Sequence, residues 1–278
     1  MQRHQDSKTA AIGKKHLRLF AIRRAEAVAE ALVAKTILIT GAGSDLGRSM
    51  AEALAQRGHR VFASMREPFG RNRDAANRLW ARGIDVLELD VACEDAARAA
   101  VELVSRKAGR LDVLLNNARQ STFGPVSDSP PEQIEHAFNV GLAGAVRASQ
   151  AVLFAMREGG SGLIVNIGSV QGRTALPSLG IRGAVGSALE ALTDAMRLEL
   201  KGTGIDVVLV QRAAIGSIEE LGPAPESSNA RDPSGLNEMC QAVVSLVDLP
   251  AGLRPLRMTV GAAAEEAPAE IYPKRGWL

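Results

Sequence analysis

Short apolar runs and amphipathic stretches alternate along most of the chain. Residues 36–39 (Thr-Ile-Leu-Ile) form an apolar run with β-branched side chains, followed by a glycine-rich turn and a helical pattern over residues 46–56. The pattern predicts strands at residues 36–39, 60–64, 85–89, 111–115, 163–167, 206–210 and 256–260, and helices at residues 46–56, 72–81, 94–108, 131–156, 183–201 and 236–247. Helices that connect successive strands require right-handed crossovers. The fold class is therefore α/β, a doubly wound parallel sheet of about seven strands between two helical layers.

Composition divides the chain into three parts. Residues 1–33 form a basic extension that we expect to be partly helical or disordered, because its only acid up to Arg24 is Asp6. Residues 34–262 carry the strand and helix pattern and are expected to form a single domain, and residues 263–278 form a tail. Residues 222–235 are rich in Pro, Ser and Gly and predict a loop.

Charge, cysteine content and hydropathy limit the function classes. The net charge of +2 gives no support for a nucleic-acid partner. Cys93 and Cys240 are far apart and lack metal-ligand spacing, so we expect free thiols in a reducing cytoplasm and no metal site. No run of about eighteen apolar residues is present, which argues against a membrane span. The sequence predicts a cytoplasmic protein without a membrane or nucleic-acid partner.

The turn after the first strand carries the clearest binding motif. Residues 40–47 read Thr-Gly-Ala-Gly-Ser-Asp-Leu-Gly between a strand and a helix, where backbone N–H groups can face a pyrophosphate. The fold is therefore expected to be of the Rossmann type. Asp45 places a carboxylate in this turn, and two like charges about 4 Å apart repel by roughly 1–4 kcal/mol. We expect this carboxylate to weaken cofactor binding.

The chain from residue 40 to about residue 215 resembles the short-chain dehydrogenase/reductase (SDR) family. The turn follows the family pattern Thr-Gly-x-x-x-Gly-x-Gly except at Asp45, and residues 188–192 (Ala-Leu-Glu-Ala-Leu) resemble the stretch after the family's catalytic motif. Residues 63–72 and 256–261 are most similar to the 17β-hydroxysteroid-dehydrogenase-like branch. The resemblance implies a nucleotide cofactor and a small-molecule carbonyl or alcohol substrate.

The resemblance also assigns the residues of the cofactor site. Arg66 follows the second predicted strand, where NADP-preferring relatives carry an arginine, and a guanidinium fork suits a 2′-phosphate. NADP(H) is therefore the expected cofactor if any binds, with an affinity put in doubt by Asp45. The residues that the resemblance assigns to cofactor binding are Gly41, Ser44, Leu46, Gly47, Arg66, Asp90, Val91, Asn117 and Ala118.

The catalytic positions match the family only in part. Active members use an asparagine that kinks its helix, a serine, and a tyrosine and lysine four residues apart; Asn139 and Ser169 match the first two. Thirteen residues after Ser169 stands Arg182 instead of the tyrosine, and four further stands Gly186 instead of the lysine. A guanidinium does not give up its proton near neutral pH. Ordinary SDR catalysis is therefore expected to be impaired.

Three functions remain open on the sequence alone. The first is an impaired SDR protein that acts as an NADP-binding or partner-binding regulator, as the loss of both tyrosine and lysine indicates. The second is an active NAD(P)-dependent oxidoreductase with an unusual proton donor, supported by Asn139, Ser169 and Arg66. The third is a structural partner of an active homologue. The family's habit of pairing through two long helices implies a homo-oligomer through the helices that contain Asn139 and Ala188.

Overall fold

The computed structural model of this chain describes residues 33–120, 122–169, 178–212 and 233–261. Its strands are β1 (Thr36–Ile39), β2 (Arg60–Met65), β3 (Asp85–Glu88), β4 (Val113–Asn116), β5 (Gly162–Ser169), β6 (Ile205–Arg212) and β7 (Arg257–Val260). Its α-helices are α1 (Asp45–Gln56), α2 (Arg73–Trp80), α3 (Glu94–Ala108), α4 (Pro131–Phe138), α5 (Gly144–Glu158), α6 (Gly180–Glu199) and α7 (Pro233–Asp248).

The described strands form one parallel sheet in the order β3-β2-β1-β4-β5-β6-β7. The chain runs outward from β1 to β3 and then returns to place β4 on the other side of β1, where Ile37 pairs with Val113. In such sheets ligands bind at the carboxyl ends of the strands, beside the point where the strand order reverses. The predicted α/β class and doubly wound sheet are confirmed.

Each face of the sheet is covered by its own apolar layer. Alternate residues of a strand point to opposite faces, so Ile37 and Ile39 of β1 pack with α1, α2 and α7, whereas Leu38 between them packs with α3 and α5. All three side chains are at most 1% exposed. This burial on both faces explains why the strands read as continuous apolar runs rather than alternating ones.

The amino-terminal edge of the sheet is tied to the last described helix. The ammonium group of Lys35 donates to the carbonyl oxygen of Val247. The Nδ1 atom of His59 accepts from the backbone N–H of Lys35 at 3.2 Å, and its Nε2 atom lies 3.1 Å from a carboxylate oxygen of Asp248. Burial, opposed by the hydrogen bond that His59 donates to the Asp248 carboxylate, lowers the pKa of His59.

A long helix is interrupted where the sequence predicts a kink. Residues Asn139–Ala143 form a π-helical turn between α4 and α5, so the break begins at the asparagine that the resemblance assigns. The combined helix, Pro131–Glu158, is by length and composition alone apolar enough to span a membrane. It packs as a core helix of the sheet, with Ala148, Val152 and Met156 buried in the α3 and α5 layer.

The predicted boundaries of the helices and strands lie within three residues of the observed ones. The largest differences occur at the starts of α6 and α7, each of which begins three residues earlier than predicted. The predicted extension at residues 1–33, apart from Val33, and the tail at residues 263–278 lie outside the described residues. Most of the predicted loop at residues 222–235 also lies outside them.

Candidate functional site

The turn between β1 and α1 is held by close backbone packing. Gly41 has a φ of 70°, and a Cβ atom there would lie 2.7 Å from the Cα atom of Ala118. A Cβ atom on Gly47 would lie 2.5 Å from the carbonyl oxygen of Gly41 and 2.7 Å from the side-chain nitrogen of Asn117. Both positions therefore require glycine for the packing of the turn itself.

Thr40 and Asn117 join the ends of β1 and β4 across this turn. The hydroxyl of Thr40 accepts from the backbone N–H groups of Asn117 and Ala118, each at 3.1 Å. The Asn117 amide donates to the carbonyl oxygens of Thr40 and Gly41 at 3.1 and 3.0 Å. These bonds fix the loop after β4 against the turn, so the two predicted cofactor motifs form one structural unit.

Ser44 and Asp45 begin helix α1. Ser44 is its N-cap, and its hydroxyl accepts from the N–H of Gly47 at 3.2 Å. The first-turn N–H groups of Asp45 and Leu46 have no preceding helical carbonyl to bond, which leaves them suited to an anion. The carboxylate of Asp45 pairs with Arg48 at 2.5 Å. This ion pair, which the sequence reasoning missed, offsets much of the negative charge that we expected to oppose a pyrophosphate.

Arg66, Asp90 and Val91, which the resemblance assigns to the cofactor, lie just after the carboxyl ends of β2 and β3. Arg66 follows β2 directly and is partly exposed. Its carbonyl oxygen accepts from the Asn72 amide at 2.6 Å, which fixes the backbone of this loop. Asp90 follows β3, and its carboxylate accepts from the N–H of Ala92 at 3.0 Å. Val91 is 4% exposed and packs against the start of α5.

A small cavity of about 50 Å³ lies at the carboxyl ends of β4 and β5, against α4 and α6. Ser169, Arg182 and Gly186 all line it, so the structure brings together three of the four predicted catalytic positions. Arg119 and Thr122, from the loop after β4, line the same cavity. The lining residues that the structure describes include no Asp, Glu, His, Lys, Cys or Tyr.

Asn139 faces a different groove from the other predicted catalytic residues. Its side-chain oxygen accepts from the Arg147 guanidinium at 2.9 Å, and the same guanidinium nitrogen donates to the carbonyl oxygen of Val91 at 3.1 Å. The groove that Asn139 lines has a volume of about 790 Å³ and runs between α3 and α5. On the cavity side, the interrupted helix contributes Ala137 and Gly141 instead.

Three arginines converge beside the cavity, and we call Arg119, Arg182 and Arg212 the arginine cluster. Arg212 pairs in register with Ser169 on the neighbouring strand. Burial and the nearby charge of Arg212 lower the pKa of Arg182. Burial, and then the charges of Arg182 and Arg212, lower the pKa of Arg119. Arg119 is exposed as a whole residue, but it lines the cavity together with Arg182.

A buried chain of amide and hydroxyl groups supports the floor of the cavity. The Asn116 amide donates to the Ser149 hydroxyl at 3.0 Å and to the side-chain oxygen of Asn166 at 2.9 Å. Asn166 in turn donates to the hydroxyl of Thr193 at 2.8 Å, and Thr193 donates to the carbonyl oxygen of Leu189. The chain links α5 to α6 through β4 and β5 and so positions the helix that carries Arg182.

The fold and this site define a class of protein. A doubly wound sheet, a glycine-dependent turn before α1 and a cavity at the ends of β4 and β5 are features of Rossmann-type dinucleotide-binding proteins. In the parts of the chain that the structure describes, no group of three or more His, Cys, Asp or Glu side chains could hold a metal ion. The sequence matches the short chain dehydrogenase family over residues 35–218. The chain belongs to this family.

Known relatives are similar over most of the sheet. A 3-ketodihydrosphingosine reductase from Bacteroides thetaiotaomicron is 34% identical over 178 residues, which are 63% of this chain and 62% of the relative, less than two thirds of its length. The structure of a short-chain dehydrogenase from Streptomyces avermitilis is 27% identical, with a TM-score of 0.70 over 82% of this chain and 89% of that one. A gluconate 5-dehydrogenase from Burkholderia cenocepacia, solved with NADP and tartrate, is 25% identical, with a TM-score of 0.68 over 81% of this chain and 93% of that one.

Proposed function

We propose that this chain is an SDR protein that does not carry out the family's ordinary proton transfer and that acts as an NADP-binding or partner-binding regulator. The cavity that contains Arg182 and Gly186 beside Ser169 carries this proposal. By resemblance, the first two positions belong to the proton donor and to the lysine that lowers its pKa. Neither side chain can take over those tasks.

The described lining offers no replacement acid or base. A guanidinium keeps its proton near neutral pH, and glycine has no side chain. A serine needs a base to become a strong nucleophile, and the described lining residues around Ser169 include none. The loss of a positioned acid–base group costs about 10²–10⁴ in rate. These effects together support a site that binds rather than one that turns over a ketone or an alcohol.

The cofactor side of the molecule fits a nicotinamide dinucleotide. The turn of Gly41, Ser44, Leu46 and Gly47 would hold the pyrophosphate, because the first N–H groups of α1 remain open and Asp45 is paired with Arg48. The remaining contacts would come from Arg66 for the 2′-phosphate and from Asp90, Val91, Asn117 and Ala118 for the adenine and the rest of the cofactor. When bound, the nicotinamide group supplies a hydride.

Partner binding has support on the helices that the resemblance assigns to pairing. Phe154 on α5 is 72% exposed, and Leu198 on α6 is 75% exposed. Exposed apolar patches mark interaction surfaces, and these two side chains lie on the helices that the resemblance assigns to pairing. A second copy of the chain, bound through the helices that contain Asn139 and Ala188, is the partner that we propose.

The alternative function is an active NAD(P)-dependent oxidoreductase. Ser169 still lines the cavity, where it could contact a carbonyl or alcohol oxygen. Water or the substrate itself would have to supply the proton that the missing tyrosine gives in active relatives. One relative, the 3-ketodihydrosphingosine reductase named above, is a reductase of the kind that this alternative would require.

One experiment tests both parts of the proposal. NADPH and NADH are titrated into the full-length protein with nicotinamide fluorescence as the signal, and simple ketones and secondary alcohols are then assayed with each cofactor. We expect NADPH to bind more tightly than NADH, Arg66→Ala to remove that preference, and turnover to be absent. Arg71→Ala is the matched control, because Arg71 is exposed nearby and paired with Glu67.

Three results would contradict different parts of the proposal. Turnover near the usual enzyme median of about 10 s⁻¹ would establish the active alternative. Equal affinity for NADPH and NADH in the parent protein would remove the role of Arg66, and loss of all cofactor binding would leave only the partner-binding form of the proposal.

A further inference from the structure

We propose that the arginine cluster and the cavity beside it form a binding site for a small oxyanion, the carboxylate or phosphate group of a metabolite-sized molecule. This inference rests on the proposed function in one respect, because it treats the former catalytic cavity as a place for a ligand rather than for a reaction. It adds a ligand class to a site whose occupant the fold alone does not identify.

The arginine cluster lies at the carboxyl ends of strands in the middle of the sheet. Arg119 follows the end of β4, and Arg212 ends β6, directly beside Ser169 at the end of β5. Arg182 lies in the first turn of α6, the end of a helix that carries partial positive charge. These positions all lie at the carboxyl edge of the sheet, where doubly wound proteins bind their ligands. The geometry therefore places positive groups on several sides of one cavity.

Two members of the arginine cluster bring like charges into one cavity. Arg182 and Arg119 line the cavity together, and the described lining contains no carboxylate to offset them. Each of the two guanidinium groups is disfavoured by its burial and by the charge of Arg212. An oxyanion would relieve this repulsion and would accept the paired N–H groups that arginine presents. The charge arrangement thus selects an anion over a neutral or cationic ligand.

Thr122 provides an independent indication of a polar ligand. The residue is 4% exposed, lines the cavity, and its hydroxyl has no hydrogen-bond partner in the structure. Buried hydroxyl groups are almost always hydrogen-bonded, so such an exception calls for a missing partner. A hydroxyl can donate to an oxyanion, and Ser169 adds a second hydroxyl to the same cavity.

The size of the cavity limits what it can hold. A buried water needs roughly 10–15 Å³ of such space, so a cavity of about 50 Å³ has room for a group of three or four non-hydrogen atoms. A carboxylate has three and would fit inside the cavity, whereas a phosphate has five and would extend partly out of it. The site therefore fits the anionic end of a ligand whose remainder lies outside the cavity.

Anion binding is tested by calorimetry and thermal unfolding at low ionic strength, with inorganic phosphate and malonate as probes. Sodium chloride at matched ionic strength is the reference for nonspecific screening. We expect at least one probe to bind and to raise the Tm above the chloride reference. Arg182→Gln should weaken that binding at least about tenfold, and Thr122→Val should weaken it about threefold to tenfold. Arg78→Gln, which changes an exposed arginine on α2, should leave it unchanged.

The outcomes separate this inference from its alternatives. Phosphate binding at the turn before α1 would persist in Arg182→Gln and be displaced by NADPH, and this result would overturn the inference. No Tm increase above chloride with either probe would also overturn it. Tighter binding of phosphate or of malonate by the protein indicates whether the site prefers a phosphate or a carboxylate group. Hydride transfer in the separate assay would contradict the proposed function while leaving anion binding intact.

Discussion

The cofactor turn and the catalytic cavity lie at the same edge of the sheet, but they differ in what the fold demands of them. In the turn, Gly47 has no room for a Cβ atom, and Asn117 bonds two carbonyl oxygens of the opposite loop. In the cavity, Arg182 lines a space of about 50 Å³ instead of filling a closely packed position. The turn is therefore constrained by packing, and the cavity by chemistry.

This difference changes how agreement with a family pattern is interpreted. Gly41, Gly47 and Asn117 match the pattern, yet each has a structural task that is independent of any nucleotide. Their presence reports on the stability of the turn as much as on cofactor binding. Arg182 and Gly186 depart from the pattern at positions that line the cavity, so their identities report more directly on the activity of the site.

The largest effect is expected when a methyl group is added to the turn between β1 and α1. Gly47→Ala should lower the free energy of unfolding by about 1–3 kcal/mol, because the new Cβ would collide with the Gly41 carbonyl and the Asn117 amide. Urea unfolding without cofactor measures this effect. Gly159→Ala is the control, since its Cβ would meet its nearest neighbour at 3.4 Å. Equal stability of Gly47→Ala and the parent would mean that packing does not explain the glycine.

On the cavity side, a substitution should act in the opposite direction. Arg182→Met should raise the free energy of unfolding by about 0.5–2 kcal/mol in anion-free, low-salt buffer, because it removes one of three clustered positive charges. The gain should shrink as salt screens the remaining charges. Arg78→Met, on an exposed face, is the control. A loss of stability in Arg182→Met would show that Arg182 supports the fold and would remove the contrast between the two regions.

The smallest expected effect lies at the amino-terminal edge of the sheet, away from both regions. Burial lowers the pKa of His59 below its usual 6.5, so the unfolded chain binds a proton more readily than the folded one. Its stabilising contribution is complete above about pH 6.5 and declines as the pH falls below that value. Unfolding free energies between pH 8 and pH 5 should show a shallower decline in His59→Gln than in the parent.

His136→Gln is the control for the histidine experiment, because His136 is exposed on α4. A slope in His59→Gln equal to that of the parent would assign the pH dependence to other groups. Anion binding in the cavity should remain unchanged in the His59 variant, since His59 contacts Lys35 and Asp248 at the opposite edge of the sheet.

The sequence predicts the sheet well because strands that are buried on both faces appear as continuous apolar runs. Ile37, Leu38 and Ile39 are all apolar for this reason. Fixed spacing along one helix and one strand likewise predicts that Ser169, Arg182 and Gly186 share a site. The pairing of Asp45 with Arg48 was within reach of sequence reasoning, because residues three apart on a helix are neighbours.

Other parts of the site depend on relations that local spacing does not contain. Arg212 lies beside Ser169 only because β5 and β6 pair in one register, although the two residues are 43 positions apart. The direction of Asn139 depends on the π-helical turn that begins at that residue and on the distant Arg147. The arginine cluster therefore emerges from the fold, which brings Arg119 and Arg212 to the same edge of the sheet as Arg182.

The two apolar layers are formed by different segments of the chain, and this has a consequence for synthesis on the ribosome. The described residues of the layer under α3 and α5 all precede residue 208, whereas the opposite layer also includes Met239, Val243 and Val247 of α7. Until α7 emerges, Ile37 and Ile39 lack part of their cover, and uncovered apolar surface promotes aggregation. A nascent chain that stalls before α7, which begins at residue 233, has emerged would thus have one face of the sheet covered by helices and one face with exposed apolar side chains.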